Sequence, residues 1–174
     1  MHMLAMEWLL QELKAKMVPT TFAWLQDCAA RIATSADRKF VFTVFTMAIR
    51  HSGKLPVVPD PVRLAQAAHA SPGWDPSDWT CDQAARTVLL LALPEGPESG
   101  RLMDELYETA DVGESSALLK ALPLLPAPAL HMQRWGKYPA WITVAIKIWP
   151  GSCWTMCAKG RPQAGPMIHR SGGA

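Results

Sequence analysis

Apolar residues in the first 50 positions recur at intervals of three and four, the spacing of one helical face. This pattern predicts a helix over 3–17, ended by Pro19, and a second helix capped by Thr20 or Thr21. Residues 39–50 are rich in β-branched and aromatic side chains, as strands are, but their apolar positions also share one helical face. We predict a third helix there.

Further along the chain, capping residues mark helix starts. An N-cap side chain accepts a hydrogen bond from a first-turn N–H group, and a proline fits the first helical position. Three such signatures are present: Asp60 with Pro61, Thr80 with Gln83, and Asp111 with Glu114. They predict a short helix through His69, a strongly apolar helix from Cys81, and a helix after Asp111.

The remaining pattern is also helical. Residues 102–110 have a helical apolar face, and prolines at 123, 126 and 128 are expected to end the helical run. No alternation of apolar and polar residues predicts a strand, and no repeat of fixed length is visible. The predicted fold class is therefore all-α, an irregular helical bundle or a short stack of helix pairs.

Charge divides the chain into two parts. Residues 1–128 hold 11 Lys and Arg and 15 Asp and Glu, whereas 129–174 hold 6 basic and no acidic residues. Prolines and glycines interrupt the second part, so a regular amphipathic helix is not expected there. We predict a helical domain over 1–128 and a basic, irregular tail over 129–174. For the same reason, a nucleic-acid partner is not expected.

No segment is expected to cross a membrane. The longest apolar runs, such as 88–93, are far shorter than the roughly 20 residues of a bilayer-spanning helix. Glu7 and Glu12 lie in the first segment, which lacks the basic start of a secretory signal. The expected location is the cytoplasm, with a peripheral position at the inner membrane as a variant.

Motifs for catalysis or metal binding are absent from the sequence. The cysteines lack the close pairs of a zinc site, and neither the phosphate-binding glycine motifs nor a nucleophile elbow occurs. We expect no metal and no cofactor, and buried reduced thiols at Cys28 and Cys81. Asp104, Glu105 and Glu108 are expected on the solvated face of their helix.

Two arginines stand out because they lie at or within apolar helices. Arg86 follows Ala85 in the strongly apolar helix, and Arg50 ends the third one. A guanidinium in such a place must reach solvent or find a polar partner. Arg86 either pairs with Asp111 or Glu114 for structural reasons, or it contacts an anionic or polar ligand. These four residues are the candidate ligand or partner site.

Three blocks of the chain resemble consecutive blocks of the EboA family. They are 40–54 (FVFTVFTMAIRHSGK), 73–94 (GWDPSDWTCDQAARTVLLLALP) and 104–128 (DELYETADVGESSALLKALPLLPAP). The most specific parts are W-x-x-D-Q-A-A-R-x-x-L-L-L at 79–91 and T-A-D-V-G-E at 109–114. The resemblance covers about residues 1–128.

The resemblance implies an accessory role in metabolite traffic. Members of this family are encoded beside a UbiA-like membrane protein and other Ebo proteins, and in cyanobacteria they are associated with export of scytonemin precursors. A small aromatic metabolite and these proteins are therefore the expected partners of a non-enzymatic helper. The alternatives are a helical scaffold that binds only protein partners and, third, an enzyme acting on the metabolite.

The tail departs from the family pattern. The family continues past the proline-rich segment with an R-T-N block, an N-P-Y-P-like block and an acidic terminal region, none of which is present here. Shifting the codons of 149–157 by two nucleotides permits A-R-V-L-L-D-Y-V-R, which resembles that terminal region. The hypothesis is that residues after about Leu130 are translated out of frame after a deletion, which truncates the domain.

Overall fold

The fold is built from helices. A computed structural model describes residues 2–71 and 74–135, with side chains from Leu4 onward. These residues form eight α-helices and one 3-10 turn at Leu122–Leu124: α1 (His2–Lys16), α2 (Pro19–Thr34), α3 (Arg38–Ser52), α4 (Pro61–Ala70), α5 (Cys81–Leu91), α6 (Pro97–Thr109), α7 (Val112–Ala121) and α8 (Pro128–Trp135). The described part contains no strand, only an isolated bridge between Pro56 and Thr80. The all-α prediction is confirmed.

Helix α5 is the centre of the bundle. Of its first ten residues only Gln83 is not buried, and the helix packs against α1, α2, α3 and α7. Its start is fixed locally, since the Gln83 amide oxygen accepts a 3.2 Å hydrogen bond from the Thr80 N–H. None of the described helices has both the length and the apolar character needed to cross a bilayer.

Two of the predicted helix starts are formed by aspartate caps. Asp60 accepts a 2.9 Å hydrogen bond from the Arg63 N–H, and Asp111 accepts a 2.7 Å bond from the Glu114 N–H. The predicted cap of α2 at Thr20 or Thr21 is wrong. Pro19 occupies the first turn instead, where its missing N–H costs nothing, and the N-cap is Val18.

The segment after the proline-rich closure differs from its prediction. Pro128 begins α8 rather than closing the helical run, so residues 129–135 of the predicted irregular tail are helical. Trp135 is buried, and its ring stacks on Tyr107 of α6 with centroids 4.7 Å apart. The aromatic packing holds this short helix on α6. Residues 136–174 lie outside the described part of the chain.

Asp104 joins α6 to α8. Its carboxylate accepts hydrogen bonds from Trp135 Nε1 at 3.0 Å and His131 Nδ1 at 3.1 Å, and it also pairs with Arg134. Because a carboxylate only accepts, the His131 Nδ1 carries a proton. The prediction that Asp104 lies on a solvated face is therefore wrong. Helix α8, which comes later in the chain, packs against this side chain and covers it.

Candidate functional site

The structure brings together three of the four predicted site residues. Arg86 lies on α5, Asp111 is the N-cap of α7, and Glu114 is in the first turn of α7. Arg50 lies exposed in the last turn of α3, and no hydrogen bond or ion pair of the described residues joins it to the other three.

The Arg86 guanidinium is enclosed by protein groups. Its Nη1 donates to Asp82 Oδ2 at 2.7 Å, and its Nε donates to the Phe45 carbonyl oxygen at 3.0 Å. Its Nη2 lies 3.9 Å from Glu114 Oε1. Arg86 is only 2% exposed. The guanidinium thus links α5 to α3 and α7 inside the core.

Glu114 has two roles in this cluster. One carboxylate oxygen faces Arg86, and the other accepts a 3.1 Å hydrogen bond from the Asp111 N–H. Asp111 in turn caps the Glu114 N–H, which completes a capping box. Of the two structural partners that the sequence left open for Arg86, Glu114 is the one that it faces, at 3.9 Å, whereas its nearest acidic partner, Asp82 at 2.7 Å, was not predicted. A ligand role for Arg50, Arg86, Asp111 and Glu114 stays a prediction.

Both described cysteines are free and buried, as expected. Burial raises the pKa of the Cys28 thiol, and the Asp27 carboxylate adds to this effect. Burial likewise raises the pKa of Cys81. These thiols are poor nucleophiles because the reactive thiolate is disfavoured. No group of three or more metal-ligating side chains lies within the described ranges.

A cleft of about 390 Å³ lies where the end of α5, the start of α6 and α8 meet. Leu90, Leu93, Met103 and Leu130 contribute apolar surface to it. This site could not be predicted from the sequence, because its walls come from two segments, 90–103 and 126–134, that only the fold brings together. The Gly-Pro break before α6 marks the turn between α5 and α6 in the sequence, but it does not indicate a cleft.

A few polar groups converge on this cleft. Ser99, His131 and Arg134 line it. Asp104 accepts a hydrogen bond from His131 and pairs with Arg134. Arg101 also lines it and donates to Glu98 at 2.7 Å in an exposed pair. An apolar cavity with a small number of placed polar groups is typical of a small-molecule site.

A comparison with protein families decides the membership of the chain. The model of the family described as "Metabolite traffic protein EboA" matches residues 2–137. The chain belongs to the EboA family. No curated protein and no solved structure matches it.

The EboA match includes the whole cleft. It covers α1 to α8 and ends two residues after Trp135, so every residue that lines the cleft lies in the family part of the chain. The match also extends past the predicted boundary at 128 and past Leu130, where the out-of-frame segment was expected to begin. EboA-like sequence therefore continues through α8.

Proposed function

We propose that this EboA-family chain is a non-enzymatic accessory protein that holds a small apolar metabolite, a secondary metabolite on its way to export. The cleft between α5, α6 and α8 is the binding site. The chain works in the cytoplasm and at the inner membrane, where a UbiA-like membrane protein or another Ebo protein receives the metabolite.

The single observation that carries this proposal is an apolar cleft inside the part of the chain that matches a metabolite-traffic family. Its volume of about 390 Å³ lies within the range of about 300–1,000 Å³ for small-molecule sites. The cleft is also a better candidate than the Arg86 cluster, whose guanidinium is already enclosed by Asp82, Glu114 and the Phe45 carbonyl group.

Gly100 allows a direct test. It lines the cleft, and a Cβ atom added there meets nothing within 4 Å apart from its chain neighbours and the backbone of its own helix. Gly100→Phe should therefore fill the cleft without distorting α6. Gly100→Ala is the matched control, because it also replaces the helical glycine, with a gain of about 0.5–1 kcal/mol in helix propensity, but adds little bulk.

The measurement is calorimetric titration with the neutral aromatic probe 2-(2-naphthyl)ethanol. We expect wild type and Gly100→Ala to bind it and Gly100→Phe to lose at least about tenfold in affinity, since the side chain occupies the site. Binding that is equal in all three proteins would place the probe elsewhere. No binding by folded wild type would favour the scaffold that binds only proteins.

The partner is tested separately. Vesicles with and without the reconstituted UbiA-like membrane protein are floated in the presence of the purified chain. We expect flotation of the chain only with vesicles that contain the membrane protein. Equal flotation with both would indicate lipid binding, and flotation with neither would contradict this partner. Turnover of a metabolite by the chain, lost in Gly100→Phe but not in Gly100→Ala, would favour the enzyme alternative.

A further inference from the structure

We infer that the cleft selects a neutral ligand with an apolar body and one hydroxyl group, and that this hydroxyl donates a hydrogen bond to Nε2 of His131. The inference rests on the proposed function and names the chemical class of its ligand. Three observations support it: the Nδ1 proton of His131 is committed to Asp104, the other ring nitrogen is left as an acceptor, and the charges around the cleft are already matched.

The imidazole ring of His131 is held in one orientation. This residue of α8 lines the cleft and is only 4% exposed. Its Nδ1 donates to Asp104 Oδ1 at 3.1 Å, and the Trp135 ring packs against it with centroids 5.0 Å apart. The hydrogen bond that one ring nitrogen makes sets which nitrogen carries the proton. Asp104 therefore fixes both the ring and its tautomer.

The second ring nitrogen of His131 is an available acceptor. In a neutral imidazole with the proton on Nδ1, the free lone pair is on Nε2. No hydrogen bond to Nε2 occurs within 4–71 or 74–135, and this atom is not among the fully buried polar atoms there that lack a partner. The small exposed surface of His131 thus includes Nε2, at the cleft that the side chain lines.

A ligand in the cleft must compensate this nitrogen. An apolar group placed over Nε2 would remove it from water without a new partner, which costs free energy. A hydroxyl group of the ligand would instead donate a hydrogen bond to it. Because Asp104 and Trp135 already hold the ring, little ordering of the side chain is needed when the ligand binds.

The charges around the cleft favour a neutral ligand. Asp104 pairs with Arg134, so this carboxylate has its cation without a charged imidazole. Arg101 pairs with Glu98, and each arginine that lines the cleft is thus matched by an acid. Glu95 is the one acidic side chain among the lining residues, and it is exposed to water. No unmatched positive charge among the lining residues is present to attract an anion.

The probe pair is 2-(2-naphthyl)ethanol and its methyl ether, which share the apolar body, but only the alcohol has a proton to donate. Calorimetric titration of the full chain gives the ratio of their affinities, in mildly alkaline buffer where an imidazole is neutral. We expect the alcohol to bind at least about fivefold more tightly, because the ether leaves Nε2 without a partner. NaCl should not change this ratio, because neither probe is charged.

A substitution tests the acceptor. His131→Asn keeps a side-chain N–H group that can donate to Asp104 as Nδ1 does, but it has no atom in the place of Nε2. It should lower the affinity ratio to about one. His69→Asn, the same change at an exposed position of α4, is the matched control and should leave the ratio unchanged. Circular dichroism establishes that both variants are folded.

Nitrogen NMR of the full wild-type chain tests the ring without any substitution. We expect the Nδ1-protonated tautomer of His131 in the free protein. The Nε2 signal should move towards that of a protonated nitrogen when the alcohol binds, but not when the ether binds. A histidine that only packs α8 against α6 would give no such difference. A proton on Nε2 in the free chain would contradict the inference directly.

The outcomes separate this inference from the proposed function. If both probes bind equally and Gly100→Phe blocks both, the apolar site stands and the hydroxyl site is wrong. If neither binds, both proposals fail. If the alcohol binds more tightly but the ratio persists in folded His131→Asn, the hydroxyl contacts another group and the inference is overturned. If that variant does not fold, the Nε2 signal of the wild type decides.

Discussion

At position 86 the protein buries a guanidinium and an opposing carboxylate in adjacent turns of one helix. The Asp82 side chain is 5% exposed, and its Oδ1 already accepts the Thr80 hydroxyl at 2.6 Å. Arg86→Met would leave this carboxylate without its cation. We expect a loss of about 3–5 kcal/mol in the free energy of unfolding, measured by urea titration.

Arg101→Met is the control for that experiment. Arg101 also pairs with an acid on its own helix, Glu98, but both side chains are exposed. We expect a change below about 1 kcal/mol, because solvent screens such pairs. Equal effects of the two substitutions would show that the buried pair stabilises no more than a surface pair.

The buried thiols lead to a prediction about reactivity. Because burial raises the pKa of Cys28 and Cys81, both should react with iodoacetamide far more slowly in the folded than in the urea-unfolded chain. Peptide mass spectrometry identifies each site. The folded state holds these protons more tightly, so the free energy of unfolding should fall as pH rises above 9.0, the ordinary value. Rapid labelling of either thiol in the folded chain would contradict the predicted slow reaction with iodoacetamide.

Among the elements, the connector before α4 contains a strained residue. Val58 has φ 45°, which is rare for a β-branched side chain, and it is exposed. Val58→Gly should raise the free energy of unfolding by about 1 kcal/mol, because glycine adopts this φ without a steric clash. The thermal midpoint should rise with it.

Val62→Gly is the matched comparison for this substitution. Val62 is equally exposed but lies in the first turn of α4, where glycine has a lower helix propensity. We expect a decrease of about 0.5 kcal/mol. The opposite signs of the two changes are the decisive result; two decreases would mean that Val58 is not strained in solution.

The helix starts show what local sequence can and cannot predict. Asp60 and Asp111 could be predicted as caps because each bonds an N–H three residues along the chain. The choice between Val18 and the threonines could not, since the fixed φ of Pro19 suits the first turn of α2 and outweighs a side-chain bond. Asp104 depends on residues about 30 positions away, so its own helix pattern misplaced it.

On the scale of the whole molecule, the two candidate sites differ in how much of each could be predicted from the sequence. Arg86 could be singled out because a charge in an apolar helix needs a partner, and Glu114 was among the partners considered. The cleft could not be found, since Ser99 and Arg134 are ordinary polar residues until α8 folds against α6. Apolar periodicity predicts which face of a helix is buried, but not where two helices leave a gap.

The position of α8 predicts that residues 129–135 stabilise the folded domain. A chain truncated after residue 137 retains α8 and the full EboA match, whereas one truncated after 128 loses the Trp135 ring that covers Tyr107 and the donors that bond Asp104. Removing a buried tryptophan costs about 3–5 kcal/mol, so we expect the shorter chain to unfold at clearly lower urea concentration. The 137-residue chain should be the more stable of the two, and it should retain the binding of 2-(2-naphthyl)ethanol. Equal stability of the two truncated chains would instead place the end of the domain at 128, where the charge pattern alone put it.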